Sequence, residues 1–185
     1  GVGRVRVCML LCVSPGVKVK RPRARCGLRK LDDKAEALGA ARGAALIGAR
    51  AVHDGACLAV SAGTATTVDV LDAEGTFQGG LILPGVELMC RVLAANTAQL
   101  PLADGKFAGL PRNTRDAIVS GCLQAQAGAI ERMFEQVAAL PGAACLVGGG
   151  AAGQFFDMLR LPKRRIDNLV LELSLINISE PTRPP

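Results

Sequence analysis

Apolar and polar positions along this chain alternate between two rhythms, and the change of rhythm marks the elements. From Lys34 to Ala51 the sequence is Ala-rich with good helix formers, which predicts a helix despite three glycines. Residues 56–62 (ACLAVSA) form an apolar run bounded by turn residues and read as a buried strand. Gly63-Thr64 turns the chain. Residues 65–72 (ATTVDVLD) are β-branched and read as a second strand. Ala73-Glu74-Gly75 predicts a hairpin turn, 76–83 (TFQGGLIL) a third strand, and Pro84-Gly85 its end.

A helix is expected from 86 to about 97, closed by Leu100-Pro101, with a polar loop to Arg112. Asn113 with Asp116 three residues on is a capping-box-like start. The helix it opens is expected to reach about Leu140, with Ile118, Cys122, Ala125, Ala129, Met133 and Val137 on its apolar stripe. Ala144–Val147 reads as a buried strand, Gly148–Gly150 as a tight turn, and 151–160 as a helix. Residues 1–13 fit either a strand or a poor signal sequence: a basic start precedes a short apolar run, but no small-residue cleavage site follows.

Composition narrows the classes. Half of the 185 residues are hydrophobic, enough for a packed core. With five Phe, no Trp and no Tyr, that core must be aliphatic, and base-stacking recognition of single strands loses its usual side chains. No apolar run reaches the roughly 18–20 residues of a membrane span, and no membrane partner is expected. The net charge of +6 belongs to one end. Residues 1–30 hold nine basic residues and no acidic one, which leaves thirteen basic against sixteen acidic in the rest. Such an arm could bind nucleic acid non-specifically, but the body is acidic and carries no base-reading motif. Seven cysteines at scattered spacing suggest reduced, buried thiols and a cytoplasmic setting rather than a disulfide framework. Cys8 and Cys12 are the only close pair, with one histidine (His53) in the whole chain, so no zinc site is predicted.

Two glycine turns follow strands. Ser61-Ala62-Gly63-Thr64 lets backbone N–H groups approach a phosphate and adds hydroxyl donors. Val147-Gly148-Gly149-Gly150 offers bare backbone against which a flat base can lie. Neither is a P-loop, because no Gly-Lys-Ser/Thr follows. Their order, a G-T-x-T-T hairpin and later strand-GGG-helix, suggests a nucleotide held between them. That is the arrangement of the actin, Hsp70 and sugar-kinase superfamily.

Gly39-Ala40-x-Arg42, Gly63-Thr64-Ala65-Thr66-Thr67-x-Asp69, Gly79-Gly80-x-Ile82-x-Pro84-Gly85, Asn96-Thr97-Ala98-x-Leu100-Pro101, Asn113-Thr114-x-x-Ala117-Ile118-x-Ser120-Gly121 and Gly148-Gly149-Gly150-Ala151 follow one another in this chain. Together they resemble the type III pantothenate kinases, the Bvg accessory factor family, over roughly residues 24–172. The resemblance implies an α/β, ribonuclease H-like fold of two lobes, of which this chain would hold mostly the second. The implied division is an unmatched basic stretch at 1–23, the end of the first lobe at 24–55 and a nucleotide-binding lobe at 56–172. It also implies a transferase that phosphorylates pantothenate with ATP, the first step of coenzyme A synthesis, as a cytoplasmic homodimer using magnesium and a monovalent cation, potassium or ammonium. By that resemblance Gly63 and Thr64 contact ATP phosphates and Gly148, Gly149 and Gly150 lie near the adenosine. Gly39, Ala40 and Arg42 line the pantothenate site, and Thr114 reaches it across the dimer.

Departures from the family pattern bear on activity. Ala41 stands where the family carries the aspartate that acts as general base, and a methyl group cannot accept a proton. Gly43 replaces a tryptophan, Asp32 an aromatic residue, and Ser61 an aspartate associated with the cation. Nothing in residues 1–30 resembles the family's Asp-x-Gly-Asn hairpin. Residues 173–183 resemble the translated end of a DNA-library adapter and depart from it only at Asn177, so 173–185 are set aside. The expectation is an inactive fragment of a kinase, with a non-catalytic regulatory or nucleic-acid-binding protein as the alternative.

Overall fold

The computed structural model describes residues 24–25, 28–30, 38–96, 105–167 and 169. The elements in chain order are β1 (Ala24–Arg25), β2 (Leu28–Lys30), α1 (Ala40–Val52), β3 (Cys57–Ala62), β4 (Ala65–Leu71), β5 (Thr76–Pro84), α2 (Val86–Asn96), α3 (Thr114–Phe134), β6 (Ala144–Gly148) and β7 (Lys163–Arg165). Two short 3-10 turns, Ala152–Gln154 and Phe156–Met158, stand between β6 and β7.

The seven strands form one sheet in the order β1-β2-β5-β4-β3-β6-β7. Its middle is an antiparallel meander, β3 to β4 to β5, to which β6 adds parallel on β3 and β7 parallel on β6. A meander continued by parallel strands is the ribonuclease H-like plan of the actin and sugar-kinase lobes. The turn between β4 and β5 forms as its residues predict. Gly75 takes φ +76, Gly75 N donates to Asp72 O, and Asp72 Oδ1 accepts from Thr76 N at 2.6 Å.

Central strand β3 is buried on both faces, which is why its sequence runs apolar without alternation. On one face α1 packs Leu46 and Ala49 over Cys57, Ala59, Leu71, Phe77 and Leu146. On the other, α3 and the 3-10 turns pack Ile130, Phe134 and Phe155 over Leu58, Val60, Val68 and Val147. A helix–sheet–helix sandwich with an aliphatic core results.

Three expected elements differ. Residues 38–39 are not helical, and α1 begins at Ala40 behind Gly39, whose backbone caps it without a side chain; residues 34–37 lie outside the described set. The long helix ends at Phe134 rather than near Leu140. Beyond it bonds tighten to three-residue spacing, as in Val137 N to Phe134 O and Leu140 N to Val137 O, and Val137 turns into the core. The following Pro141 also disfavours helix at Leu140. The stripe of α3 shifts accordingly. Ala125 is exposed, whereas Ser120, Leu123, Gln126, Ala127 and Ile130 are buried beside Cys122. Finally, 151–160 forms two 3-10 turns and no α-helix. Gly150 and Gly153 contribute no helix propensity, and Phe155 leaves helical geometry (φ −129) to bury its ring completely.

Candidate functional site: a cleft between two glycine turns

The turn joining β3 to β4 and the turn leaving β6 lie side by side because β3 and β6 are parallel neighbours, with Ser61 opposite Gly148. Backbone contacts lock them together. Ala62 O accepts from Ala151 N at 3.1 Å, and Gly149 at φ +97 brings its Cα against Ala62 so closely that a Cβ there would sit 2.2 Å from the same oxygen. Across the hairpin, Gly63 N donates to Ala65 O at 3.1 Å.

A third segment closes the corner. Gly85, between β5 and α2, donates its N–H to Thr64 O at 2.8 Å, and a Cβ at Gly85 would lie 2.1 Å from Gly63 O. Only glycine permits that approach. From the far side the buried Gln126 of α3 donates Nε2 to Pro84 O at 2.7 Å, fixing the residue before Gly85. The start of α2 is therefore held against the Gly63-Thr64 turn.

The result is a cleft of about 250 Å³. Gly63 and Thr64 form its floor, and Gly150, Ala151 and Gln154 one wall. Glu87, Leu88 and Arg91 of α2 form the opposite wall. Glu87 and Arg91 pair across one helical turn, Nη2 to Oε1 at 2.9 Å, both well exposed. Bare glycine backbone on one side, a glycine turn with the Thr64 hydroxyl at the floor, and the first turns of a helix opposite suit an elongated anionic ligand with a flat group.

Of the residues singled out in the sequence, the fold brings Gly63, Thr64 and Gly150 to this cleft. Gly148 and Gly149 lie beneath it, Gly148 buried at the end of β6 and Gly149 supplying the positive φ. The base-side wall is a pair of 3-10 turns, so the expected helix N-terminus there is replaced by that of α2. Gly85, Glu87, Leu88, Arg91 and Gln154 carried no sequence signal as a group; the Glu-x-x-x-Arg spacing after Pro84-Gly85 was the available hint.

The remaining predicted residues stand elsewhere. Gly39, Ala40, Ala41 and Arg42 open α1 on the other face of the sheet. Arg42 is no solvated helix residue. Its Nε lies 3.2 and 3.3 Å from the Asp69 carboxylate oxygens, its Nη2 pairs with Oδ1, and the guanidinium sits 5.6 Å from the Phe77 ring centre. Asp69 is only 1% exposed, and space for it exists because Gly80 has no side chain: a Cβ there would lie 2.2 Å from Oδ1. Burial raises the Asp69 pKa above its ordinary value, while the bond and charge of Arg42 pull it down. Asp69 stands five residue steps along from Thr64, roughly 16 Å of strand. Thr114 is exposed at the start of α3, outside the cleft, behind an Asn113 cap whose side chain accepts from Asp116 N at 2.9 Å.

Four cysteines (Cys57, Cys90, Cys122 and Cys145) are free thiols, three of them buried. Loss of water around them pushes Cys57 up to about 11 and Cys145 to about 12, Cys145 helped by the neighbouring Cys57. They are packing residues. His53 faces the Ala56 carbonyl at 3.3 Å. Cys8, Cys12, Cys26 and the expectations for 1–23 and 173–185 lie outside the described residues. Among the described residues no helix is long and apolar enough to cross a membrane.

Comparison with known proteins agrees with the topology. The family described as type III pantothenate kinase matches residues 4–136, beginning further towards the N-terminus than the motifs from which the resemblance was read. A type III pantothenate kinase of Aromatoleum aromaticum is 65% identical over 148 residues, which cover 80% of this chain and 61% of that protein. One from Azoarcus sp. strain BH72 is 55% identical over 154 residues, 83% of this chain and 59% of that protein. This chain thus spans about 60% of the length of these curated relatives. Among solved structures, a conserved Baf family protein from Campylobacter jejuni superposes with a TM-score of 0.55 at 22% identity, over 76% of this chain and 64% of that one. That likeness carries the fold. From the family match and the relatives, the chain belongs to the type III pantothenate kinase family.

Proposed function

We propose that this chain is the nucleotide-binding part of an enzyme that transfers the γ-phosphoryl group of ATP to pantothenate, the first step of coenzyme A synthesis, and that the chain with Ala41 does not complete the transfer. The observation that carries the reading is the cleft in which the Gly63-Thr64 and Gly149-Gly150 turns meet under α2. In it the Thr64 N–H and hydroxyl, at the Gly63-Thr64 turn, hold phosphates, and the Gly150 backbone takes the adenosine. With it goes a division in which 56–172 is the nucleotide lobe and 24–55 the end of a first lobe whose β2 and α1 join the sheet and core of the second.

Phosphoryl transfer depends on positioned phosphates, neutralised charge and a group that orients and deprotonates the attacking hydroxyl. Ala41 lies exposed in the first turn of α1 and supplies no such group. Loss of general-base catalysis alone lowers rate by about 10²–10⁴-fold. Gly39, Ala40 and Arg42 form the pantothenate side of the site, with Arg42 exchanging Asp69 for the substrate carboxylate, and Thr114 completes it from the second copy of a homodimer. The exposure of Leu110 (92%) and Ile82 (63%) supports such a dimer. The free cysteines support a cytoplasmic setting.

Magnesium would arrive on the phosphates and neutralise their charge. Potassium or ammonium would meet the Ser61 hydroxyl in place of a carboxylate. Among the described residues no group of three Asp, Glu, His or Cys side chains gathers; a monovalent cation would be held by hydroxyl and carbonyl oxygens such as those of Ser61.

The test uses the purified 185-residue chain. ATP binding is followed by calorimetry and pantothenate-dependent ADP release by a coupled assay. ATP binding with no pantothenate-dependent ADP is the expected result. Failure to bind ATP overturns the nucleotide reading, and turnover at the rate of a full-length relative overturns the role given to Ala41.

A further inference from the structure

Only two charged side chains line the cleft, Glu87 and Arg91, and they cancel one another. The floor offers the Thr64 N–H and hydroxyl but no cation, and the lysine of a P-loop is absent from the sequence. A triphosphate brings several negative charges into such a site. Among the described residues lining the cleft, Arg91 is the side chain able to answer them.

We propose that Arg91 is the phosphate-binding cation of this cleft and that Glu87 is the positioning residue that holds its guanidinium until a nucleotide enters; this rests on the ATP reading above. Three observations carry it. Helical side chains lean towards the N-terminus of their helix, and the 2.9 Å contact with Glu87 places the Arg91 guanidinium alongside the first two turns of α2. The start of that helix is pinned to the floor by Gly85 N to Thr64 O at 2.8 Å. The ion pair is also exposed, 54% at Arg91 and 77% at Glu87. Such a pair is weak and exchanges readily, and the fork of five N–H donors has one bond to Glu87, leaving others to grip phosphate oxygens.

The two members of the pair then act with opposite signs. Arg91→Ala removes a charge-assisted contact and weakens ATP binding about tenfold. Glu87→Gln removes the competitor and tightens ATP about two- to threefold. Adenosine, which lacks phosphates, binds both variants within about twofold of the parent. Arg91→Lys recovers part of the loss, because charge survives and the fork does not.

Calorimetric titration of the full chain with ATP and with adenosine, in buffer free of divalent cations, decides it. Circular dichroism melts confirm that these surface variants fold. The signs above support the proposal. If Arg91→Ala leaves ATP affinity within twofold, weakens adenosine equally, or is matched by a similar weakening in Glu87→Gln, the pair is structural and the proposal fails while ATP binding stands. If the parent chain binds no ATP, the nucleotide reading itself fails, and this inference with it.

Discussion

Gly149 and Gly150 are neighbours in one turn, and replacing each by alanine is expected to have different consequences. At Gly149 the backbone sits at φ +97, a region that costs an alanine about 1–2 kcal/mol. The new Cβ would lie 2.2 Å from Ala62 O and 2.8 Å from Ala62 N and C, against an ordinary contact of at least 3.4 Å. The obstacle is backbone of the central strand, so β3 and the turn must part by about 1 Å. That parting strains the Ala151 N to Ala62 O bond, now 3.1 Å, worth about 0.5–1.5 kcal/mol. With the roughly 1–3 kcal/mol that forcing packed groups apart costs, Gly149→Ala is expected to cost about 3–6 kcal/mol in all, a large share of the roughly 5–15 kcal/mol that holds a domain folded. At Gly150 nothing lies within 4 Å of the new Cβ and φ is not positive, so Gly150→Ala is expected to stay within about 0.5 kcal/mol of the parent. The chain has no Trp and no Tyr, so urea unfolding is followed by circular dichroism at 222 nm. With a slope of about 1–3 kcal/mol/M, the Gly149 variant unfolds at least about 1 M earlier. Equal midpoints for the two variants would refute the reasoning, because propensity is the same for both and only φ and the Ala62 contact differ.

Four other expectations follow from the structure. Asp69→Asn leaves the Arg42 guanidinium without its charged partner and is expected to cost about 2–4 kcal/mol in chemical denaturation; a loss below about 0.5 kcal/mol would show the pair to be unimportant. Arg42→Ala removes what holds the Asp69 pKa down, so the folded value rises further above the ordinary carboxylate range. The folded state then binds more protons than the unfolded one, and the variant loses stability as pH rises from about 4 through that raised value. Unfolding at pH 5 and pH 8 reads this, and equal losses at both would contradict it. Above pH 9 the thiols of Cys57 and Cys145 ionise in the unfolded chain while burial keeps them protonated in the fold, up to about 11 and about 12. Stability is therefore present below pH 9 and lost on going up, by about 1 kcal/mol per thiol at pH 10 relative to pH 8. Cys57→Ala with Cys145→Ala should flatten that slope. Asn113→Ala removes the side-chain cap of α3 and is expected to cost about 1 kcal/mol, read as a shift in melting temperature.

Much of the fold was legible in the chain. The unbroken apolar run of β3, the β-branched run of β4, the Asp72–Gly75 turn and the Asn113 cap all rest on local physics: both-face burial, pleat packing, positive φ and a side-chain acceptor for an orphan N–H. The two glycine turns could be marked as places of close backbone approach for the same reason, since glycine permits it wherever it stands. The family resemblance was likewise a property of motif order and needed no coordinates.

What stayed hidden depended on partners distant in sequence. The segment after Gly150 alternates plausibly enough for a helix, but Phe155 finds its pocket only by leaving helical geometry. Arg42 looks like a solvent-facing helix residue until Gly80, 38 positions on, vacates the volume that lets Asp69 lie beneath it. Gln126 reads as a polar interruption of an apolar stripe, yet it anchors the corner at Pro84. The cleft wall of α2 is the strongest case. Glu87 and Arg91 are an ordinary i,i+4 pair by sequence, and only the bonds from Gly85 to Thr64 and from Ala151 to Ala62 set that pair facing the second glycine turn. The sequence determined which backbone could come close to a ligand, because that is settled residue by residue. Tertiary structure decided which side chains surround it, because that depends on how β3, β6 and α2 converge.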